Sequence, residues 1–381
     1  MVSEKTETTT VFYAPKSPLG DLGVKKLNTK CMWKFKWLRN WKEIYADDFR
    51  NYWLAQFNSS IYPTVFGHPD MALAWLKTYQ AIRNIHPLFC IAGKNEITVI
   101  YPLVVWKQNW KNAFLKKIIP VGYSDFDYTE PLFSGDNVQD EDINSFFEEL
   151  SKQFRVLGIH YDMVDIRCLR SSIYKSEIFS TTDVACPYIY LDKYTDSSNY
   201  FASLSSKLGQ DIIKRTKKLK ELGNLEFLVI KEKENALLYL QSFLELYKKR
   251  RQKAYIPKNL HQNLIENASK NNLLLLFVCL LDNVPICIRL SFCHKDIIYS
   301  YLPVFDEKFN QYSIGNIHRY ESIKWSMDNH YRIFDLLRGQ KSYKDKWATD
   351  TVVLSSFRID SENIPSVIKK TILRIRYCIF K

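Results

Sequence analysis

Residues 333–347 read I-F-D-L-L-R-G-Q-K-S-Y-K-D-K-W. The apolar start of this stretch predicts a short buried strand that ends at Gly339. A tyrosine, a lysine and a tryptophan follow within eight residues. Since a strand end is a rigid position, a cation placed just after it is held in a fixed direction. We therefore expect this segment to carry part of a functional site.

The length and composition fit a soluble globular chain with two domains. At 381 residues the chain exceeds the ~250–300 residues at which a single core usually stops growing. The net charge of +13 favours contact with polyanions, which include nucleic acid, an anionic membrane surface and phosphorylated cofactors. A basic surface without a polyanionic partner explains the charge equally well.

The cysteine pattern and the N-terminal residues indicate the cellular compartment in which the protein is expected. None of the eight cysteines forms a C-x-x-C pair, so we expect no metal site and no redox motif. Residues 1–30 are polar, are expected to be loosely ordered, and lack the basic-then-apolar order of a secretory signal. No uninterrupted apolar stretch approaches the ~18 residues of a membrane span. These observations predict a cytoplasmic protein.

Apolar periodicity predicts an α+β chain. We expect a first domain over residues 31–185, a second over residues 186–360 and a basic amphipathic tail over residues 361–381. In the second domain, apolar runs on either side of Asp282-Asn283 predict a β-hairpin, and a third strand follows it. A helix over residues 315–330 then leads to the strand quoted above.

Two amphipathic patterns flank these domains. Trp33, Trp37 and Trp41 recur every four residues, which predicts a helix packed on the body of the protein, with a membrane-contacting face as the alternative. The tail mixes apolar and basic residues at near-helical spacing. We expect it to pack on the second domain, with contact to an anionic membrane as the alternative.

The segment from Gln311 to Asn316 precedes the helix predicted over residues 315–330. Small residues at Ser313 and Gly315 let the backbone N–H groups of a helix start approach a phosphate, and the helix dipole favours that anion. An ordinary helix cap explains the same residues.

The order of strands, small-residue loop, helix and strand resembles the GNAT acetyltransferase superfamily. More specifically, F-D-L-L-R-G, then Y-K and W, resembles the F-D-F-L-R-G-x-x-x-Y-K-x-x-W signature of CelD/BcsL-type acetyltransferases. V-F-D at 304–306, S-I-G at 313–315 and the basic helix at 211–220 also match that family. The resemblance spans about residues 40–360, and it extends to the Fem peptidyltransferases, which have two such folds in tandem.

The resemblance implies two tandem GNAT-like domains with mixed, largely antiparallel sheets flanked by helices. It implies acetyl-CoA or another acyl-CoA as co-substrate, no metal, and a loop of Gln311, Ser313, Gly315 and Asn316 that holds the cofactor pyrophosphate. Ile314 stands where the family has proline, which keeps open a non-catalytic subunit of an exopolysaccharide assembly machine.

The chemistry suggests catalytic roles for four residues. A fixed cation stabilises the oxyanion formed when an amine attacks a thioester, and the resemblance assigns this role to Lys344. Tyr343 is expected to donate a proton or to position substrate. Because an attacking amine must be neutral, a carboxylate base is useful, and Asp125 and Asp127 lie in the loop that the Fem resemblance turns toward the cleft. Replacing Lys344 with alanine is expected to abolish turnover and to leave folding intact.

Four further residues are expected to bind substrate. Arg250 and Arg251 match the family's arginine and suit a phosphate, although a solvated helix end explains them too. Asp335 and Arg338 belong to the signature, and a local backbone hydrogen bond is the alternative for Asp335.

The predicted function is acyl transfer from a CoA thioester to an amine or hydroxyl of a sugar or polysaccharide precursor. A Fem-like transfer of an aminoacyl group from transfer RNA is the second hypothesis. Nucleic acid is not expected as a partner except under that alternative. The tail leaves open a peripheral contact with the inner membrane face.

Overall fold

The computed structural model describes residues 32–250, 257, 259–339 and 341–379. The expectations for residues 1–30 and for Arg251 lie outside the described residues. We refer to residues 32–179 as the first half and to residues 180–379 as the second half.

Fifteen strands are described. They are β1 (Lys34–Leu38), β2 (Ile85–Pro87), β3 (Phe89–Lys94), β4 (Ile97–Tyr101), β5 (Leu103–Lys107), β6 (Lys116–Pro120), β7 (Leu132–Ser134), β8 (Met163–Arg170), β9 (Ser180–Tyr190), β10 (Leu225–Ile230), β11 (Leu274–Leu281), β12 (Val284–His294), β13 (Ile297–Phe305), β14 (Ile333–Asp335) and β15 (Asp350–Asp360).

The described helices alternate with these strands in both halves. They are α1 (Trp41–Ile44), α2 (Asp47–Asn58), α3 (Pro69–Ile82), α4 (Asp140–Val156), α5 (Ser197–Ser203), α6 (Ser206–Lys220), α7 (Lys233–Leu238), α8 (Leu240–Arg250), α9 (Leu260–Ala268), α10 (Ile314–Asp328), α11 (Lys341–Lys344) and α12 (Ile364–Ile379).

Both halves contribute to one 11-stranded sheet, in the order β10-β11-β12-β13-β14-β9-β15-β8-β6-β5-β2. The strand β15 joins the halves, because it pairs with β9 on one side and with β8 on the other. A separate four-stranded sheet, β1-β3-β4-β7, lies in the first half. The domain boundary predicted between residues 185 and 186 falls inside β9.

The two halves repeat one motif. In the first half β6 and β8 are parallel neighbours, with α4 between them along the chain. In the second half β13 and β14 are parallel neighbours, with α10 between them. A parallel pair needs a crossover connection, and a helix supplies it in both places. The sheets therefore combine antiparallel hairpins with one parallel pair in each half.

The hairpin predicted around Asp282-Asn283 is confirmed. Asp282 and Asn283 have φ of 48° and 64°, which matches the twist required of a tight hairpin between β11 and β12. Every residue of β11 is buried, as expected for a central strand with helices on both faces.

The prediction that Trp33, Trp37 and Trp41 share one helix is wrong. Residues 34–38 form β1, which pairs antiparallel with β3, and Trp41 only begins the short helix α1. A spacing of four residues is also a multiple of the strand period of two, so Trp33 and Trp37 lie on one strand face. They pack with Phe146 and Phe154 of α4.

The tail forms the helix α12, but its anchor lies in the first half. The buried carboxylate of Asp162 accepts hydrogen bonds from the Ser366 hydroxyl and from the Lys369 ammonium at 3.0 Å. The prediction that the tail packs on the second domain is therefore wrong, because α12 is anchored to the first half. The reason is that β15 returns the chain to the edge of β8 just before α12 begins.

Candidate active site

The two central parallel strands of the second half separate after three residue pairs. Residues 297–299 of β13 pair with residues 333–335 of β14, after which β13 continues to Phe305 and the other chain turns away. A cavity of about 360 Å³ opens at this divergence. Its walls are formed by Arg250, Arg289, Ser300, Tyr301, Leu302, Pro303, Arg319, Leu336, Arg338, Gly339, Tyr343 and Lys344.

The turn that follows β14 shapes one wall of this cation-lined cavity. The Asp335 carboxylate accepts a hydrogen bond from the Leu337 backbone N–H at 2.8 Å and one from the Tyr128 hydroxyl at 2.7 Å. Burial raises the pKa of Asp335 to about 7. Leu337 adopts the left-handed region, with φ of 56°. The local backbone bond weighed for Asp335 is therefore present, and its binding role stays a prediction.

Lys344 lies in the cavity wall with its ammonium group turned toward the same turn. Its Nζ donates hydrogen bonds to the carbonyl oxygens of residues 336, 337 and 338 at 2.6, 2.9 and 2.6 Å. An ammonium has three N–H groups, so all of its donors are used. A Cβ at Gly339 would lie 2.8 Å from this Nζ, which explains the glycine. Burial lowers the pKa of Lys344.

Tyr343 borders the cavity beside several cations. The Arg319 guanidinium carbon lies 4.6 Å from the centroid of its ring. Burial alone would raise the pKa of Tyr343, but the positive charges of Arg319 and Lys344 outweigh it and lower that pKa below its ordinary value. The phenol is therefore a better proton donor than an isolated tyrosine.

Sequence reasoning missed two buried arginines of this cavity. Arg289 on β12 is 1% exposed, and Arg319 on α10 is 3% exposed. The detectable signal for Arg289 is a single arginine inside the apolar run 284–292, where an unpaired charge is unexpected. Arg319 carries no such signal, because α10 alternates polar and apolar residues.

Two of the predicted substrate-binding arginines also line the cavity. Arg250 ends α8, and its guanidinium carbon lies 4.1 Å from the centroid of the Phe305 ring. The Nε of Arg338 donates to the Asp127 carboxylate at 2.7 Å, and its Nη2 donates to the Phe126 carbonyl at 2.9 Å. Asp127 is thus occupied by an ion pair that crosses between the halves.

A second cavity of about 460 Å³ adjoins the first between the two halves. It shares Tyr301, Leu302, Arg338 and Gly339 with the cation-lined cavity. Its other walls come from both halves and consist of Ser124, Asp125, Asp127, Val184, Tyr247, Pro257, Leu260 and His261. The two cavities therefore form one cleft that is divided by Arg338 and Gly339.

Asp125 is the carboxylate of this second cavity that has no cationic partner among the described ion pairs. It accepts hydrogen bonds from the Tyr79 hydroxyl at 2.7 Å and from the Trp75 indole at 2.8 Å. Burial raises the pKa of Asp125, and these hydrogen bonds only partly offset the effect. The carboxylate is therefore more basic than a solvated aspartate.

The predicted pyrophosphate loop lies at the start of α10, outside the residues that line either cavity. Ser313 is left-handed, with φ of 52°, and its carbonyl accepts from the Asn316 N–H at 2.8 Å. A Cβ at Gly315 would lie 3.3 Å from the Phe305 ring, and the Gln311 carbonyl accepts from Arg215. Since Arg250 covers the same phenylalanine, the loop and Arg250 are neighbours. The cofactor role of the loop stays a prediction.

Comparison with known proteins identifies one domain of the chain. Residues 206–345 match the family model described as an acetyltransferase (GNAT) domain. No curated protein matches the sequence. The matched segment includes α10, β14, Tyr343 and Lys344.

Solved structures share the fold at low sequence identity. FemX is 10% identical, with 85% of this chain and 98% of that chain covered and a TM-score of 0.56. A tandem GNAT protein from the clavulanic acid biosynthesis pathway is 7% identical, with coverages of 87% and 100% and a TM-score of 0.49. A Bacteroides thetaiotaomicron protein of unknown function is 11% identical, with coverages of 81% and 95% and a TM-score of 0.49. We base the fold likeness on FemX, and at this identity it shows the fold alone.

Two predictions are confirmed by these findings. The fold is α+β, with mixed sheets and flanking helices in both halves, and it is shared with FemX. The prediction of an acyltransferase is supported by the match of residues 206–345 to an acetyltransferase (GNAT) domain. Among the described residues no group of histidine, cysteine, aspartate and glutamate could hold a metal ion. Within the same residues no helix has the length and apolarity needed to cross a bilayer.

Proposed function

We propose that the protein moves an acetyl or other acyl group from a CoA thioester to an amine or hydroxyl of a sugar or polysaccharide precursor. The observation that carries this proposal is the divided cleft. The cation-lined cavity suits an anionic donor, and the second cavity offers a basic carboxylate to an acceptor. Arg338 and Gly339 mark the boundary at which the two substrates would meet.

On the donor side, the divergence of β13 from β14 leaves room for the pantetheine arm of the cofactor. The phenol of Tyr343 then protonates the leaving thiolate, which suits its lowered pKa. The ammonium of Lys344 is fully hydrogen-bonded, so it acts on an oxyanion through its buried charge and by holding the turn in shape.

On the acceptor side, Asp125 takes the proton from the attacking amine or hydroxyl. A carboxylate with a raised pKa is a stronger base, and its position in the second cavity gives an acceptor access to it. Asp127 is the weaker candidate, because its Oδ1 already binds the Arg338 guanidinium and backbone N–H. The saccharide nature of the acceptor rests on the signature at residues 334–347.

The test is thiol release from acetyl-CoA in the presence of amino sugars and nucleotide-linked sugars. We expect Asp125→Asn to reduce turnover at least about 100-fold, the usual contribution of a general base. Asp136→Asn, an exposed carboxylate of the same half, is the matched control and should match the wild type. Failure of the protein to bind any acyl-CoA would overturn the proposal and favour the non-catalytic alternative.

The second candidate function is aminoacyl transfer from transfer RNA. The observation that favours it is the basic face of α6, whose exposed lysines are Lys207, Lys214, Lys217, Lys218 and Lys220. Arg215 of the same helix binds the predicted pyrophosphate loop, so this face lies beside the proposed donor site. Competition between labelled acetyl-CoA and charged transfer RNA separates the two, and it is measured at raised salt, where non-specific phosphate contacts are weakened.

We also propose peripheral contact with an anionic membrane through α12 and the neighbouring loop. The side chains of Ile364, Ile368, Ile372 and Ile375 are exposed on one side of α12. In the loop after β5, Trp110 and Phe114 are 60% and 63% exposed. Asp162 connects the two surfaces, because it binds Lys369 of α12 and the backbone N–H of Lys116.

Apolar side chains beside basic residues are the composition of a surface that enters the headgroup layer. Flotation with vesicles that contain phosphatidylglycerol should recover the wild type, and vesicles of phosphatidylcholine alone should recover much less. Ile368→Asp should lose binding, whereas Leu238→Asp, an exposed apolar residue of α7, should not. Equal flotation of both variants would contradict this contact.

A further inference from the structure

The buried arginines Arg289 and Arg319 face the cation-lined cavity and have no carboxylate partner among the described residues. Neither forms an ion pair with a described carboxylate, in contrast to Arg338, which binds Asp127. Burying a cation costs several kcal/mol unless it is paired, and an anionic ligand in the cavity would offset that cost. A ligand that neutralises the pair must carry a negative charge.

Arg289 is satisfied by neutral groups only. Its Nη1 donates to the Ser300 hydroxyl at 2.6 Å, and its Nε donates to Nδ1 of His318 at 3.4 Å. The Nε2 of His318 lies 3.1 Å from the Phe277 carbonyl and must donate to it, so the ring is neutral and its Nδ1 accepts. Burial lowers the pKa of His318 well below its ordinary value, which agrees with this tautomer.

Arg319 has two nitrogen donors that make no hydrogen bond within the described residues. Its guanidinium makes a side-chain hydrogen bond with Tyr343, whereas Nε and Nη1 have no hydrogen-bond partner in the described part of the chain. Its guanidinium is held flat by two aromatic rings, with centroids 4.6 Å away at Tyr343 and 5.4 Å away at Trp347. Aromatic contacts of this kind fix the plane of the group and leave its edge available for hydrogen bonds. A guanidinium edge with free donors matches a carboxylate or phosphate.

The two cations also act on each other. Burial is the main cause that lowers the pKa of Arg289 to about 10, and the charge of Arg319 adds to it. An oxyanion between them would remove this repulsion and restore both pKa values. The fold therefore holds a pre-organised positive site whose neutralisation is left to a ligand.

We propose that Arg289 and Arg319 form a subsite for an oxyanion group of the substrate, a carboxylate or a phosphate, that enters the cavity beside Tyr343. That the group belongs to a substrate rests on the proposed function, whereas the subsite itself does not. It differs from the loop of residues 311–316, which does not line this cavity. Its consequence is that one of the two reactants is anionic at the end that reaches Tyr343.

The test measures anion binding and needs no turnover. Thermal unfolding of the full chain is followed with sodium pyrophosphate, sodium succinate and sodium chloride at equal ionic strength. We expect pyrophosphate or succinate, at about a hundred times its Kd, to raise the midpoint by about 3 °C above chloride. Arg319→Met should lose this response. Arg358→Met, which removes an exposed arginine paired with Asp360, should keep it.

Stability of the variants without ligand gives a second readout. Because Arg319→Met removes an uncompensated buried charge, its midpoint should equal or exceed that of the wild type. A purely structural arginine, needed to hold Tyr343 and Trp347, would instead lower the midpoint. That result, or an equal response of the wild type and Arg319→Met to the anions, would overturn the proposal. So would a wild type that responds to no anion more than to chloride.

A binding comparison then locates the oxyanion. If it lies on the acyl chain, succinyl-CoA should bind the wild type at least about tenfold more tightly than acetyl-CoA, a preference that Arg319→Met loses. If it lies on the acceptor or on a phosphate, the two thioesters bind alike, and the larger thermal shift identifies the group as a phosphate if pyrophosphate gives it or as a carboxylate if succinate does. Failure of acyl-CoA binding with retained anion binding would remove the proposed function and leave the subsite.

Discussion

Substitution of Lys344 by methionine tests how the strand-end turn is held. The ammonium makes three hydrogen bonds to the carbonyl oxygens of residues 336–338, and the side chain is 7% exposed. Hydrogen bonds from a charged donor contribute about 1.5 kcal/mol each, which sums to about 4–5 kcal/mol. Methionine regains about 1–2 kcal/mol because no charge is then desolvated. We therefore expect a net loss of about 3 kcal/mol in the free energy of unfolding.

Urea unfolding followed by tryptophan fluorescence measures this loss. Lys346→Met is the matched control, because Lys346 is an exposed lysine two residues away. If Lys344→Met unfolds at the same urea concentration as Lys346→Met, the three carbonyl contacts do not hold the turn and the reasoning is refuted. The same numbers revise the expectation that Lys344→Ala leaves folding intact. Turnover of any Lys344 variant has to be compared at equal folded concentration.

Three further predictions concern pH and the turn. Burial raises the pKa of Asp335 from 3.8 to about 7, so the folded state holds this proton more tightly. As pH rises from 3.8 to about 7, the unfolding free energy of the wild type should therefore fall relative to that of Asp335→Asn, by about 1.4 kcal/mol per pH unit. Above that interval the difference should stay constant. Urea titrations at several pH values measure it. If Tyr343 is the proton donor, turnover of the wild type should decline at a pH below the ordinary tyrosine value of 10.0, and the pH–rate profile of Tyr343→Phe should lack that limb. Gly339→Ala should lower both turnover and thermal midpoint, because its Cβ would lie 2.8 Å from Lys344 Nζ; activity and melting curves that match the wild type would contradict the described packing.

Local patterns predicted the elements of the second half well. The hairpin of β11 and β12, the helix α10 and the strand β14 follow from apolar runs and turn residues that act over a few positions. The tryptophan repeat failed because a spacing of four fits both a helix face and a strand face. Only the pairing of β1 with β3, a contact between distant residues, resolves that ambiguity.

The site was predictable where a signature stretch contains it. Tyr343, Lys344 and Arg338 line one cavity, as their closeness in sequence suggests. The pairing of Arg289 with Arg319 was not predictable, because β12 and α10 bring them together across 30 residues and only Arg289, a single arginine in an apolar run, carries a signal in the sequence. Nor did the sequence reveal that the Lys344 ammonium would be occupied by carbonyls. That arrangement depends on the left-handed conformation of Leu337, and a leucine in the sequence gives no indication of that conformation.

The contacts between the halves converge on the turn after β14, which lines the candidate site. The loop of residues 125–130 reaches the turn at two points, where Tyr128 binds Asp335 and Asp127 binds Arg338. Each bond joins a group of the first half to a residue of the strand end, so under the proposed function the same few atoms would position both the acceptor and the donor. Movement of the first half would displace Arg338 together with the wall that the cavities share. The turn is held from one side by Lys344 and from the other by Tyr128, so under the proposed function it would fix the position of one reactant relative to the other.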